Sequence, residues 1–116
     1  MRIDGPALLA RIYIGESDRY DGQPLYEAIV HLLRERGVAG ATVLRGIEGY
    51  GRAARLHTTR ILRLSEDLPI LIEVIDREDR LRAVLPDIDA MVEGGLITLE
   101  KVEVMTYRSP EKEEPK

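Results

Sequence analysis

Apolar residues alternate from Ala7 to Gly15 (ALLARIYIG), with Leu8, Ala10, Ile12 and Ile14 on one side and Leu9, Arg11 and Tyr13 on the other. A period of two predicts a strand. A turn-like ESDRYDGQ follows, and then the period lengthens. Leu25, Ala28, Ile29, Leu32 and Leu33 fall at i, i+3, i+4, i+7 and i+8, the stripe of a helix that lays one side on a core. Pro24 suits the first position of that helix, where a missing N–H costs nothing, and Gly37 suits the cap that closes it. Ala39 to about Ile47 reads as a second strand, and Pro69 to Ile75 (PILIEVI) as a third. From Arg77 to Val92 the helical period returns through Leu81, Val84, Leu85, Ile88 and Met91 or Val92. Pro86 inside that stretch is expected to kink the helix or divide it in two. Gly94 and Gly95 end it, and Leu96 to Tyr107 (LITLEKVEVMTY) reads as a fourth strand.

The order is β-α-β-β-α-β. It predicts an α+β fold of the ferredoxin-like type, a four-stranded antiparallel sheet with both helices on one face and a long loop between strands two and three. No internal repeat or second domain is needed. Residues 1–108 are expected to form a single domain, and 109–116, polar with two prolines, a frayed tail.

If the helices cover Leu8, Ala10, Ile12, Ile14, Ile70, Ile72 and Val74, the opposite face carries Leu9, Tyr13, Leu71 and Ile75. Met105 and Tyr107 are expected to join them, interspersed with Arg11, Glu73 and Glu103. A solvated sheet face alternates to polar residues, and monomers rarely leave large apolar patches in water. The pattern therefore predicts a homo-oligomer in which Arg11 and Glu73 pair, unless the terminal segments fold back over this face.

Composition narrows the classes. Hydrophobic residues at 44% and charged residues at 33% match a folded protein, and with no Phe or Trp its core must come from Leu, Ile and Val. The absence of Cys removes disulfides, thiolate chemistry and Cys-ligated metals. No apolar run approaches the roughly 18 residues of a membrane span. The start MRIDGPALLARIYIG lacks the apolar stretch and cleavage site of a signal peptide, so a cytoplasmic protein without direct membrane insertion is expected. A net charge of −4 argues against nucleic acid as a partner. An RNA-binding version of such a sheet needs aromatics on central strands and a basic surface, and Tyr13 and Tyr107 alone are thin support.

One segment departs from this acidic background. GIEGYGRAARLHTTRILRLSEDLP separates the second and third strands by about 20 residues, far more than an ordinary hairpin loop. From Arg52 to Arg63 it holds Arg52, Arg55, Arg60, Arg63 and His57, and no acid. Arginine forks beside the flexible backbone of Gly49-Tyr50-Gly51 suit phosphate or carboxylate. Equally, the strands extend as an arm whose Leu56, Ile61, Leu62 and Leu64 pack on a neighbour while the arginines stay solvated.

Little else carries chemistry. His31 lies off the stripe of the first helix and reads as solvated, whereas His57 in the basic segment suits a ligand or an inter-subunit contact. No second His or Cys stands at metal-ligand spacing. Ser65-Glu66-Asp67-Leu68 reads as a turn whose carboxylates are solvated or cap-like rather than an acid–base pair. No nucleophile with an adjacent base, no Walker phosphate loop and no metal motif is present. No catalytic residue and no required cofactor are therefore expected.

Gly40-Ala41-Thr42-Val43 followed by Gly49-Tyr50-Gly51-Arg52 resembles the second strand and loop entry of the PII signalling proteins. More closely, HTTRILRLSEDLPILIEVID and GGLITLEKVEVMTY resemble the uncharacterised PII-like group called DUF190 or UPF0166, a likeness running from Leu8 to Tyr107. PII proteins are trimeric ferredoxin-like regulators that bind adenine nucleotides between subunits. The resemblance implies that Thr42, Gly49, Gly51 and Arg52 approach a nucleotide, although one extra residue separates Thr42 from Gly49 here. The glycine-rich loop after the second helix of PII proteins corresponds to Gly94-Gly95-Leu96-Ile97, without its phosphate-holding lysine. A C-terminal arginine pair is reduced to Arg108, and the loop tyrosine that some PII proteins have modified is missing between Arg52 and Pro69. A weaker triphosphate grip follows, so AMP, ADP or cyclic AMP fits as well as ATP.

The expectation is a homotrimeric PII-like, ligand-sensing regulator that binds a small anion at the base of the long loop and signals to a target protein such as a transporter, channel or enzyme. Its site would draw on Thr42, Gly49, Tyr50, Gly51, Arg52, Arg55, Gly94, Gly95 and Arg108, with Tyr50 stacking on a base or packing at an interface. Two other readings stand beside it: an oligomeric structural or interaction module without a small-molecule ligand, and an enzyme with an inter-subunit site.

Overall fold

The computed structural model describes residues 2–50 and 67–110. Four strands, β1 (Arg2–Gly15), β4 (Ala41–Arg45), β5 (Pro69–Asp76) and β6 (Leu96–Arg108), form one antiparallel sheet in the spatial order β4-β5-β1-β6. Between β1 and the first helix lies a small hairpin, β2 (Arg19–Tyr20) with β3 (Gln23–Pro24). Helices α1 (Leu25–Glu35) and α2 (Glu78–Met91) complete the ferredoxin-like α+β fold.

The core is the even-numbered side of β1 and β5 against the helical stripes. Leu8, Ala10, Ile12, Ile14, Ile70, Ile72 and Val74 are all buried, as are Leu25, Ala28, Ile29 and Leu33 of α1 and Leu81, Val84, Leu85 and Ile88 of α2. Each large side chain removed from water here contributes roughly 1.5–3 kcal/mol. Gly37 ends α1 as expected: the Val38 N–H donates to the Leu33 carbonyl and the Gly37 N–H to that of Arg34, both at 3.1 Å, a Schellman closure.

Three expectations about the elements are corrected. Pro24 is not the first helical residue but the extended residue before it (φ −59°, ψ 133°), because it pairs with Arg19 in the hairpin while the Leu25 N–H donates to the Asp18 carbonyl at 2.8 Å. Pro86 does not divide the second helix, which runs unbroken as α2. It sits on the exposed side, so the Arg82 carbonyl that loses its N–H partner lies where water can satisfy it. The second strand is shorter than expected, closing where the Gly46 N–H donates to the Pro69 carbonyl at 2.7 Å.

The first strand, in turn, is longer. β5 ends at Asp76 opposite Leu8, so Arg2 to Ala7 pair with β6 alone as a two-stranded ribbon. Gly5 takes φ +85°, and the register shifts between Ile3 and Gly5, a bulge that bends the ribbon. The bend is large. The Tyr107 hydroxyl on β6 donates to the Ala39 carbonyl at 3.1 Å, just before β4. In a flat sheet three strand spacings, about 14 Å, would separate β6 from β4, beyond the reach of a tyrosine. The ribbon therefore curls over the face that the helices leave open. Ile3 and Leu9 on that face are buried as a result, and a pocket of about 160 Å³ lies among Ile3, Ile75, Val104, Thr106 and Tyr107. The terminal segments thus do fold back, but over one end of the face.

Candidate functional site at the open face and the loop end of the sheet

Away from the ribbon, the open face is organised in cross-strand rows. Leu44, Leu71, Tyr13 and Leu96 are neighbours on β4, β5, β1 and β6. This apolar row stays in contact with solvent, with Tyr13 38%, Leu44 48% and Leu96 55% exposed. The next row is Thr42, Glu73, Arg11 and Thr98. In it Arg11 Nε donates to Glu73 Oε2 and Arg11 Nη1 to Glu100 Oε1, each at 3.1 Å. These bonds, Glu73 first and Glu100 second, hold the guanidinium pKa above its ordinary value, so Arg11 stays charged. The expected Arg11–Glu73 pair is present, and Glu100 adds a second carboxylate.

Glu103 and Met105 are not where the alternation put them. Counting back from Tyr107 in twos reaches both, but the bulge inserts one residue and switches the phase of β6. Glu103 stands opposite Pro6 on the other side of the sheet, and Met105, 90% exposed, lies at the ribbon tip with Arg2, Asp4 and Arg108.

One guanidinium between two carboxylates, Glu73 in its own row and Glu100 in the adjoining one, leaves this cluster with a net negative charge that disfavours an anion placed directly over it. The ends of the sheet are different. At the end where Gly15 pairs with Pro69, three acids are occupied: Asp18 accepts the Gly15 N–H at 2.9 Å, Asp67 the Ser17 N–H at 2.8 Å, and Glu16 the Arg45 guanidinium at 2.7 Å. Asp67 is thus cap-like, as expected. This same end carries Gly49, Tyr50, Gly94 and Gly95.

Gly49 lies against Pro69, where an added Cβ would stand 3.1 Å from the proline ring. At Gly95 a Cβ would meet the Tyr13 carbonyl oxygen at 2.6 Å, so β6 can start beside β1 only with glycine there. Packing inside the chain therefore accounts for Gly95, while Gly49 is only closely packed on the proline ring. Gly94, by contrast, is exposed with open space around it, and Tyr50 is 81% exposed. Thr42 lies on the open face opposite Glu73. Arg108 stands at the other end of the sheet, opposite Arg2 and about 40 Å of strand away from Gly95. One chain does not bring these groups together. Gly51, Arg52, Arg55 and His57 lie outside the described residues.

The sequence reading missed Asp76, whose side chain is fully buried. Its Oδ2 accepts the Ala39 N–H at 2.8 Å and its Oδ1 the Arg77 N–H at 2.6 Å, with Arg80 Nη1 at 3.5 Å. The signal was available: Ile70, Ile72, Val74 and Asp76 share one phase, so the carboxylate had to face the helices. Among the described residues no group of three or more His, Asp and Glu is placed to hold a metal ion, and no helix is long and apolar enough to cross a membrane.

Comparison with known proteins agrees with this architecture. The family model DUF190, described as Uncharacterized ACR, COG1993, matches residues 7–104. A UPF0166 protein of Aquifex aeolicus is 38% identical over 97 residues, covering 84% of this chain and 91% of its own. Another, from Methanocaldococcus jannaschii, is 37% identical over 94 residues, covering 80% and 86%. Among solved structures, CPII from Thiomonas intermedia K12 bound to ADP and bicarbonate superposes with a TM-score of 0.55 at 20% identity, over 90% of this chain and 91% of that one. The same protein bound to ADP, AMP and acetate gives 0.54 at 18%, over 86% and 89%. Its apo form, described as a nitrogen regulatory PII-like protein, gives 0.53 at 18%, over 93% and 100%. At such identities the likeness speaks for the fold, and the curated relatives speak for descent: the chain belongs to the DUF190 (UPF0166) family and has a PII-like fold.

Proposed function

We propose that this protein is a ligand-sensing regulator that assembles as a homotrimer and binds an adenine nucleotide in clefts between subunits. The observation that carries the reading is the distribution of the candidate groups. Gly49, Tyr50 and Gly94 stand at one end of the sheet and Arg108 at the other, so a cleft that uses both must take one end from each of two chains. The row of Leu44, Leu71, Tyr13 and Leu96 supplies an apolar surface for such an assembly. The solved CPII complexes with ADP and AMP support the choice of ligand.

In this reading the arginine-bearing segment after Tyr50 neutralises phosphate, with Arg52 and Arg55 foremost, while Thr42, Gly51 and Gly95 line the approach. Binding changes what the protein can dock against, a switch read by a target protein. The reaction class is recognition, not turnover.

Isothermal titration calorimetry with AMP, ADP, ATP and cyclic AMP tests this. The expected result is saturable binding of at least one of them, one site per chain, by a protein that sediments as a trimer. A folded trimer that takes up none of the four at millimolar concentration removes the nucleotide reading. It would leave the oligomeric interaction module in its place.

A further inference from the structure

The backbone of Ala39 is gripped from both sides. Its N–H donates to the buried Asp76 carboxylate at 2.8 Å, and its carbonyl accepts the Tyr107 hydroxyl at 3.1 Å. Arg80 braces the same point, with Nη1 at 3.3 Å from the Gly37 carbonyl and 3.5 Å from Asp76 Oδ2. Side chains from β5, α2 and β6 thus converge on the short link that feeds β4.

β4 needs such an anchor. It is an edge strand of five residues, every one of them exposed, paired on one side only. Strands with few buried contacts open locally at low cost. At its far end β4 is tied by the Arg45–Glu16 ion pair and by the Gly46 N–H on the Pro69 carbonyl, both at 2.7 Å. At its near end the hold is on the backbone of Ala39. β4 carries Thr42 and leads through Gly46, Ile47 and Glu48 to Gly49 and Tyr50, so its position bears on the entrance of the loop.

We infer that Asp76 and Tyr107 act as a clamp that positions β4, and with it the ligand-facing loop entrance, by holding the backbone N–H and carbonyl of Ala39. The inference rests on the nucleotide-sensor reading for its ligand half only. Both are positioning residues rather than ligand contacts. The clamp has a further consequence: Tyr107 is next to Arg108, so the ribbon that carries the arginine is bonded to the strand that carries Thr42. A displacement of either one is felt by the other.

Tyr107→Phe removes one hydroxyl and leaves the ring, so the fold is kept. Hydrogen exchange of the full-length protein, with and without ADP as the probe, reads the clamp directly. Losing one hydrogen bond is expected to speed exchange over residues 39–45 roughly fivefold, with the centre of β1 and β5 unchanged. Calorimetry is expected to show ADP affinity falling by a similar factor. Exchange over 39–45 equal to the unmodified protein's overturns the clamp. Faster exchange with undiminished ADP affinity overturns its positioning role. If the unmodified protein binds none of AMP, ADP, ATP and cyclic AMP, the nucleotide reading and the ligand half fall together, while the exchange result still decides the clamp; if it binds another of the four but not ADP, that nucleotide serves as the probe.

Discussion

The two faces of the sheet are made by the same strands, residue by residue in alternation, and end in opposite circumstances. On one side Ile12 and Ile72 are completely buried beneath the helices. On the other, their neighbours Tyr13 and Leu71 belong to a row that the chain leaves partly in water. Apolar alternation is thus satisfied once inside the chain and once not. The curled ribbon buries its own Ile3 and covers Leu9 but stops short of Tyr13, Leu44 and Leu96, and Ile75 remains 41% exposed beside it. An apolar side chain on this sheet therefore has two distinct kinds of partner. The helix side is tied to folding, and the open side to what the folded chain meets.

Substitution separates the two. Ile72→Ala leaves a cavity between β5 and the helices and is expected to cost about 3 kcal/mol, seen as a lower urea midpoint. Gly95→Ala drives a methyl group into the Tyr13 carbonyl and is expected to cost about 1–3 kcal/mol, whereas Gly94→Ala, with open space around it, stays within about 0.5 kcal/mol. If both glycine variants melt like the unmodified protein and both weaken nucleotide binding, the packing account of Gly95 is wrong. Leu71→Arg is expected to change the stability of the folded chain little, by no more than about 1 kcal/mol. Its effect is on assembly: sedimentation velocity should report single chains. Should Leu71→Arg unfold the protein as Ile72→Ala does, the two faces are not different in the way described.

Much of the fold was legible because it rests on period. The stripe from Leu25 to Leu33, the alternation from Leu8 to Ile14 and the strand from Ile70 to Val74 each commit a face before any partner is known. The small hairpin was signalled as well, since Asp21-Gly22 is a strong two-residue turn between short strands, but two-residue strands leave no alternation to count. The bulge near Gly5 left no comparable trace. It reversed the phase of β6, moved Glu103 off the open face and brought Glu100 to Arg11.

The candidate site was legible as residue types and not as an arrangement. Glycines, a threonine and arginines in order along the chain suit an anion, yet their order says nothing of distance. Gly95 and Arg108 are thirteen positions apart in sequence and lie towards opposite ends of the sheet, because both belong to one extended strand region. Asp76, by contrast, is far in sequence from Ala39 and bonded to it.

The order of residues settled which side of each element is apolar, where helices and strands alternate and how α1 closes, since these depend on neighbours within a turn or two. Contacts between distant segments settled the rest. The ribbon's curl, the grip on Ala39 and the ion triad around Arg11 each need strands that are brought side by side only when the chain folds, and one shifted register is enough to change which side chains meet.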